Sequence, residues 1–157
     1  GAGVFLVEAQ EPTDFSIMAE YKGYPIDPDI AHMHKGWDTM LDVIDRAAVT
    51  QDELSVLCGP PQRAASNETE GWTEDDIWGS QSDPYFKAFR LSVNGSVAWP
   101  HAGVYTVNIV TGGAGLAETA HGALELKSGD TFTILGGTAP TTISGELEML
   151  VTTPSFG

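Results

Sequence analysis

Residues 122 to 137 read GALELKSGDTFTILGG. Leu124 and Leu126 alternate with Glu125 and Lys127, so one side of an extended segment is apolar and the other charged. Ser128-Gly129-Asp130 supplies turn chemistry, and Phe132 and Ile134 restart the alternation before Gly136-Gly137 ends it. The pattern predicts two short strands joined by a tight turn, each with one face on a core and one in water.

The same grammar extends on both sides. Phe89, Leu91 and Val93 alternate up to Asn94-Gly95, a dipeptide favoured in two-residue hairpin turns. Tyr105, Val107 and Ile109 alternate up to Gly112-Gly113. Leu147, Met149 and Val151 alternate with Glu146 and Glu148. Short strands with glycine-rich turns at this spacing predict an antiparallel sandwich or barrel over residues 84–157, with two packed sheets. Leu124, Leu126, Phe132, Ile134, Leu147 and Met149 are the expected core.

Residues 26–83 have another character. Asp27-Pro28 is a helix start, because proline tolerates the first helical position. Trp37, Met40, Leu41 and Ile44 follow at helical spacing, and Thr50-Gln51-Asp52-Glu53 has the form of a capping box before Leu54, Val56 and Leu57. Gly59-Pro60-Pro61 stops that helix. The stretch QRAASNETEGWTEDDIWGSQSDPYF, from residue 62, reads as a long surface excursion with one helical turn near Thr73. Residues 1–25 are strand-like: Val4–Val7 is an apolar run, and Phe15, Ile17 and Ala19 alternate after the turn residues Pro12-Thr13-Asp14.

Seven Lys plus Arg against 22 Asp plus Glu give a formal charge of −15. Nucleic acid and anionic membranes both require a positive face, so neither is an expected partner. The lone Cys58 excludes an internal disulfide framework and suits a reducing compartment. No apolar run approaches the roughly 18 residues that span a bilayer. A cytoplasmic location is the expectation, and self-association into a homo-oligomer is left open.

Residues 122–137 resemble the second motif of a cupin, in which a strand ends in Gly-Asp and the next strand closes in a turn. The proline common in that turn is Leu135 here, no His follows Gly136-Gly137, and the upstream segment NGSVAWPHAGVYTVN offers only His101. The opening GAGVFLVEAQEPTDFSI is similar to the segment after the last metal-binding His in class I mannose-6-phosphate isomerases. There, Gly-x-Gly leads through an apolar strand to Glu-x-Gln, then to Thr/Ser-Asp, with a catalytic Arg four residues beyond the Asp. Gly1-Ala2-Gly3, Glu8-Ala9-Gln10 and Thr13-Asp14 match, and DPDIAHMHKGWDTML resembles the helical connector of bacterial members.

The resemblance implies a mainly β fold: a cupin-type jelly roll, an antiparallel β-sandwich or barrel, with a helical connector. Residues 1–25 would be terminal strands of an upstream catalytic cupin, 26–83 the connector and long loop, and 84–157 a metal-free C-terminal cupin. The chain would then start in the middle of a longer protein. Its parent would isomerise a phosphorylated sugar through an enediol, with a zinc held by residues upstream of this chain. No metal is expected in the fragment, which would be inactive alone. The alternative is a non-catalytic cupin-like protein that binds sugar or serves as scaffold.

Glu8 matches an active-site carboxylate of that family and Asp14 its turn aspartate, although Thr-Asp after Pro is equally plain turn chemistry. Met18 stands where the family has its catalytic Arg. A thioether can neither neutralise an enediolate nor grip phosphate, so Lys22 is the candidate substitute. His32 and His34 form a His-x-His that would share a metal on a strand. Between a helix start and an amphipathic helix they read instead as surface or capping residues. His101 and His121 are isolated and read as structural. Cys58 has no basic neighbour in sequence to activate it. Trp72, Trp78 and Tyr85 suit either a sugar-stacking patch or the pinning of the long loop, and pinning is preferred.

Overall fold

The computed structural model describes residues 3–8, 16–20 and 22–155, the side chain of Gln81 aside. The chain divides into two compact units, residues 1–53 and 54–157. No helix among the described residues is long and apolar enough to cross a membrane.

In the first unit, Asp27 begins α1 (Pro28–Ala31) as expected: its Oδ1 accepts the Asp29 N–H at 2.9 Å. The apolar stripe beginning at Trp37 is only partly realised in α2 (Trp37–Asp42). Met40 is buried, but Leu41 and the following Ile44 are exposed. A helix of six residues makes fewer than two turns and cannot carry a stripe out to i+7. The capping box opening α3 (Gln51–Leu57) forms: Glu53 Oε2 accepts the Thr50 N–H at 2.8 Å, and the Glu53 N–H donates to Thr50 Oγ1 at 3.3 Å.

The strands expected in residues 1–25 are not formed in the described part. Residues 4–8 and 16–18 have no regular structure, and Val4, Phe5 and Leu6 are exposed. An isolated strand leaves its N–H and C=O groups unpaired, and no described strand adds to them. Phe15 lies outside the described residues.

The second unit contains seven strands: β1 (Gln62–Asn67), β2 (Trp72–Asp76), β3 (Phe86–Ala98), β4 (Thr106–Thr119), β5 (Gly122–Lys127), β6 (Thr131–Ile134) and β7 (Thr142–Pro154). They form one antiparallel sheet in the order β1-β2-β3-β7-β4-β5, with β6 on the same side of β4 as β5. The fold is mainly β, a jelly-roll type of sandwich. Its two layers are continuous through long strands rather than being separately bonded sheets.

Two turn expectations are corrected by this continuity. Asn94-Gly95 lies within β3, and Gly112-Gly113 within β4. Gly95 pairs with Gly145 of β7, which pairs in turn with Gly115 of β4. A Cβ on Gly145 would lie 2.6 Å from both the Ala114 oxygen and the Gly115 Cα, and its φ is +129°. Three long strands thus bend along one row where no side chain intervenes. A bulge at Thr111, where the β4–β7 register shifts, adds to the curvature.

The long surface excursion is also corrected. Its first half is the β1–β2 hairpin, so Thr73 lies in a strand and not in a helical turn; Asn67 Oδ1 closes the hairpin by accepting the Thr69 and Glu70 N–H groups at 3.1 and 3.2 Å. A short 3₁₀ turn (Gly79–Gln81) follows. β1 is a sheet edge with mostly exposed positions, so it carries polar residues and gives no apolar alternation.

One face of the sheet is buried. Leu91, Met149 and Val110 form a row across β3, β7 and β4, and Phe89, Val151 and Asn108 form the next. Leu91, Val93, Val110, Leu126, Ile134, Ile143, Leu147, Met149 and Val151 belong to a single apolar cluster, so the sheet rolls its inner face onto itself. Leu126, Ile134, Leu147 and Met149 are core as expected, and Phe132 packs against them, but Leu124 remains 51% exposed.

The turn between β5 and β6 forms as read. The Asp130 N–H donates to the Lys127 carbonyl at 3.0 Å, and Asp130 Oδ2 accepts the Lys127 N–H at 2.9 Å. Gly129, with φ +94°, supplies the conformation that the third position of a type II turn requires.

Candidate functional site

Of the residues singled out in sequence, Glu8 and Lys22 are exposed in irregular chain, and Asp14 lies outside the described residues. No hydrogen bond or ion pair joins Glu8 or Lys22 to another described residue. Met18 is half-buried, and its N–H donates to the Ala31 carbonyl at 3.0 Å. Cys58 is a free, exposed thiol.

His32 and His34 converge on one carboxylate. His34 Nδ1 lies 2.8 Å from Asp29 Oδ2, and His32 Nε2 lies 3.4 Å from Asp29 Oδ1. Met33 and His34 adopt φ of 56° and 59°, a left-handed pair without glycine that turns the chain back over α1. The hydrogen bond with His34 holds the Asp29 carboxyl below the ordinary aspartate range. His32 Nδ1 accepts the Gly36 N–H at 3.2 Å, which puts the ring proton on Nε2, toward Asp29. A metal at Nε2 would need that proton moved and the Gly36 bond broken. The pair therefore does what capping residues do.

The zinc implied by the family resemblance does not fit the described residues. No three His, Cys, Asp or Glu side chains among them are grouped to hold a metal ion, and four protein ligands, or three with an open position, are what zinc takes.

A pair missed in the sequence lies on the inner face of the roll. Glu74 of β2 is opposite Leu91 of β3, so its side chain faces the core. There it meets His101, from the connection between β3 and β4, with Glu74 Oε2 2.7 Å from His101 Nε2. The two side chains are 7% and 12% exposed. The imidazole lies over Phe89, with ring centres 4.7 Å apart, and edge-on to Trp99 at 5.6 Å. Among the described residues Nδ1 has no hydrogen-bond partner. A carboxylate that fixes one ring nitrogen leaves the other as a directed acceptor.

His101, read in the sequence as isolated, is instead bonded to Glu74 and packed on Phe89. The signal for Glu74 was the alternation Trp72, Glu74, Asp76, which reads as a strand only once the inner face is allowed a polar member.

The tryptophans do not form one patch. Trp72 packs against the core and its Nε1 donates to Glu70 at 3.1 Å. Trp78 sits edge-on to Phe86 at 5.0 Å, and Tyr85 is 61% exposed. The two tryptophan contacts are those of rings that pin chain to sheet, whereas the exposed Tyr85 makes no such ring contact among the described residues.

No family model matches the chain, and no curated protein sequence matches it. Among solved structures, it is similar to the mannose 6-phosphate isomerase from Bacillus subtilis, at 21% identity and a TM-score of 0.49, over 59% of this chain and 27% of that one. It is similar to a cupin-2 domain protein of Rhodospirillum rubrum at 12% identity and a TM-score of 0.49, over 61% and 69% of the two chains. A third similarity is to KdgF from Halomonas sp., at 13% identity and a TM-score of 0.48, over 61% and 87%. The chain thus spans about a quarter of the isomerase it resembles. At these identities the likeness is one of architecture and says nothing of chemistry.

Proposed function

We propose that this chain is the C-terminal portion of a mannose-6-phosphate isomerase-like protein, in which its β-roll is a non-catalytic scaffold. In such a parent, a zinc held by residues outside this chain would position the sugar oxygens, and a general base would move a proton between neighbouring carbons. The observation that carries the scaffold reading is the filling of the roll. Leu91, Val110, Met149 and Val151 are fully buried against one another, and the polar groups of that inner face, Glu74 with His101 and Thr106 with Asn108, are bonded to each other. The motifs at Glu8 and Thr13-Asp14 support the parentage, and Met18 is the departure from it.

Glu8, exposed and without a bonded partner among the described residues, offers at most general-base action, worth about 10² to 10⁴-fold. An isomerase needs about 10⁶-fold or more. The test is conversion of mannose 6-phosphate to fructose 6-phosphate by the 157-residue chain with added zinc, beside a longer form of the protein. Turnover by the longer form alone is the expected result. Turnover by the short chain would sink the scaffold reading, and an inert zinc-loaded longer form would sink the isomerase parentage.

A further inference from the structure

Leu124 lies on the inward face of β5, opposite Ala117 of β4, yet it is 51% exposed, whereas Leu126, two residues on, is 3% exposed. The roll does not close over it. Leu124, Ala117, Phe132 and Ile134 form the floor of an open pocket of about 330 Å³. That volume is at the lower end of the range that small molecules occupy, about 300–1,000 Å³, and mouths of β-barrels are among their usual sites.

The polar lining is threonine, Thr119, Thr138 and Thr141 together with Thr133, and His121 is its ionisable member. The hydroxyl hydrogens of the first three are already committed. Thr138 Oγ1 donates to the Leu135 carbonyl, Thr141 Oγ1 to the Ala139 carbonyl at 3.2 Å, and Thr119 Oγ1 to the Gly122 carbonyl at 3.3 Å. Thr119 Oγ1 also accepts the His121 N–H at 3.1 Å. Those three present lone pairs and methyl groups, while Thr133 and the His121 ring can still donate, so the site suits an occupant with an apolar face and hydroxyls that both give and accept. No Lys or Arg lines the pocket, and the chain carries a formal charge of −15. An anionic group meets no Lys or Arg there, within a strongly negative chain.

We propose that this pocket is a binding site for a small neutral molecule with a C–H face and a hydroxyl edge, a monosaccharide or cyclic polyol, and not for a phosphorylated sugar. The site stands apart from the isomerase reading, since it needs neither a metal nor any residue outside 117–141.

The test is an amide ¹H–¹⁵N titration of the 157-residue chain with D-mannose, with myo-inositol and with mannose 6-phosphate. Saturable shifts confined to residues 117–124, 132–134 and 138–141 are expected with a neutral ligand, with the phosphate ester weaker by about tenfold or more. Leu124→Glu should abolish saturation and leave the remaining spectrum in place. If that variant does not fold, Thr138→Tyr should block the pocket from its rim with the same result. No saturation by either neutral ligand, shifts centred elsewhere, or a phosphate ester that binds as tightly as mannose would each overturn the proposal.

Discussion

His101 and Glu74, 27 residues apart in sequence, meet at 2.7 Å inside the roll, and their bond ties the β3–β4 connection to the β1–β2 hairpin. Removing the imidazole in His101→Ala leaves a buried carboxylate without its partner, at a cost of about 3–5 kcal/mol. Glu74→Gln keeps an acceptor for the ring and should cost only about 1 kcal/mol. Urea unfolding of the two variants and the double variant measures the coupling directly. If both single variants unfold at the parent's midpoint, the pair holds nothing together.

The glycine row makes a contrast between two substitutions. Gly145→Ala meets backbone at 2.6 Å in a bend shared by three strands, so the strands must part, and a loss above about 3 kcal/mol or a failure to fold is expected. Gly137 also has a positive φ, +82°, but nothing lies within 4 Å of its would-be Cβ. Gly137→Ala should therefore show only the left-handed penalty, about 1–2 kcal/mol. Equal denaturation midpoints for the two variants would mean that the row does not hold the bend.

Two exposed carboxylates set an acid limb in residues 27–57. Backbone and hydroxyl hydrogen bonds from Thr50 hold Glu53 below its ordinary range, and the bond with His34 does the same for Asp29. A depressed folded value means that the stabilisation is present above the unfolded value and is lost as pH falls through the folded one. Capping of α3 and the His34 turn should therefore loosen only below the ordinary carboxylate range. Carboxyl ¹³C titration checks this. Thr50→Ala removes the hydroxyl but keeps the backbone N–H, so it should raise Glu53 only part of the way. His34→Ala removes the main cause for Asp29 and should raise it further toward an ordinary value; unchanged midpoints would remove both causes.

Much of the roll was legible because Leu126, Ile134, Leu147 and Met149 alternate with charged or polar neighbours and a half-buried strand demands that alternation. Asn94-Gly95 misled because a dipeptide that allows a tight turn also allows a bend inside a 13-residue strand, and only pairing with Gly145 distinguishes the two. β1 was hidden because an edge strand has no apolar face to declare. Val4–Val7 stays irregular because an apolar run needs partner strands, and the described residues supply none. The Glu74–His101 pair was unreadable for the same reason as β2: both depend on which strands become neighbours.

The inner face of β4 gives the last case, and a prediction with an unusual sign. Tyr105, Val107 and Ile109 are its apolar alternation, yet Thr106, Asn108 and Val110 are the residues with 0% exposure. Asn108 Nδ2 donates to Thr106 Oγ1 at 3.1 Å and to the Phe132 carbonyl at 3.4 Å, while its Oδ1 is buried with no protein partner. An unpaired buried acceptor costs about 1–3 kcal/mol, and each hydrogen bond retained returns only about 1 kcal/mol. Asn108 sits between Val151 and Phe132, so a leucine of similar shape meets apolar neighbours on both sides. Asn108→Leu alone strands the Thr106 hydroxyl. The double change Thr106→Val with Asn108→Leu removes both polar groups, and should leave the protein at least as stable as the parent, with a gain of up to about 2 kcal/mol. Asn108→Asp, which buries a charge in the same place, should be strongly destabilising. Denaturant midpoints for the three variants decide the matter. A double variant weaker than the parent by more than about 1 kcal/mol would show that the Thr106–Asn108 bond is worth more than the acceptor it leaves unpaired.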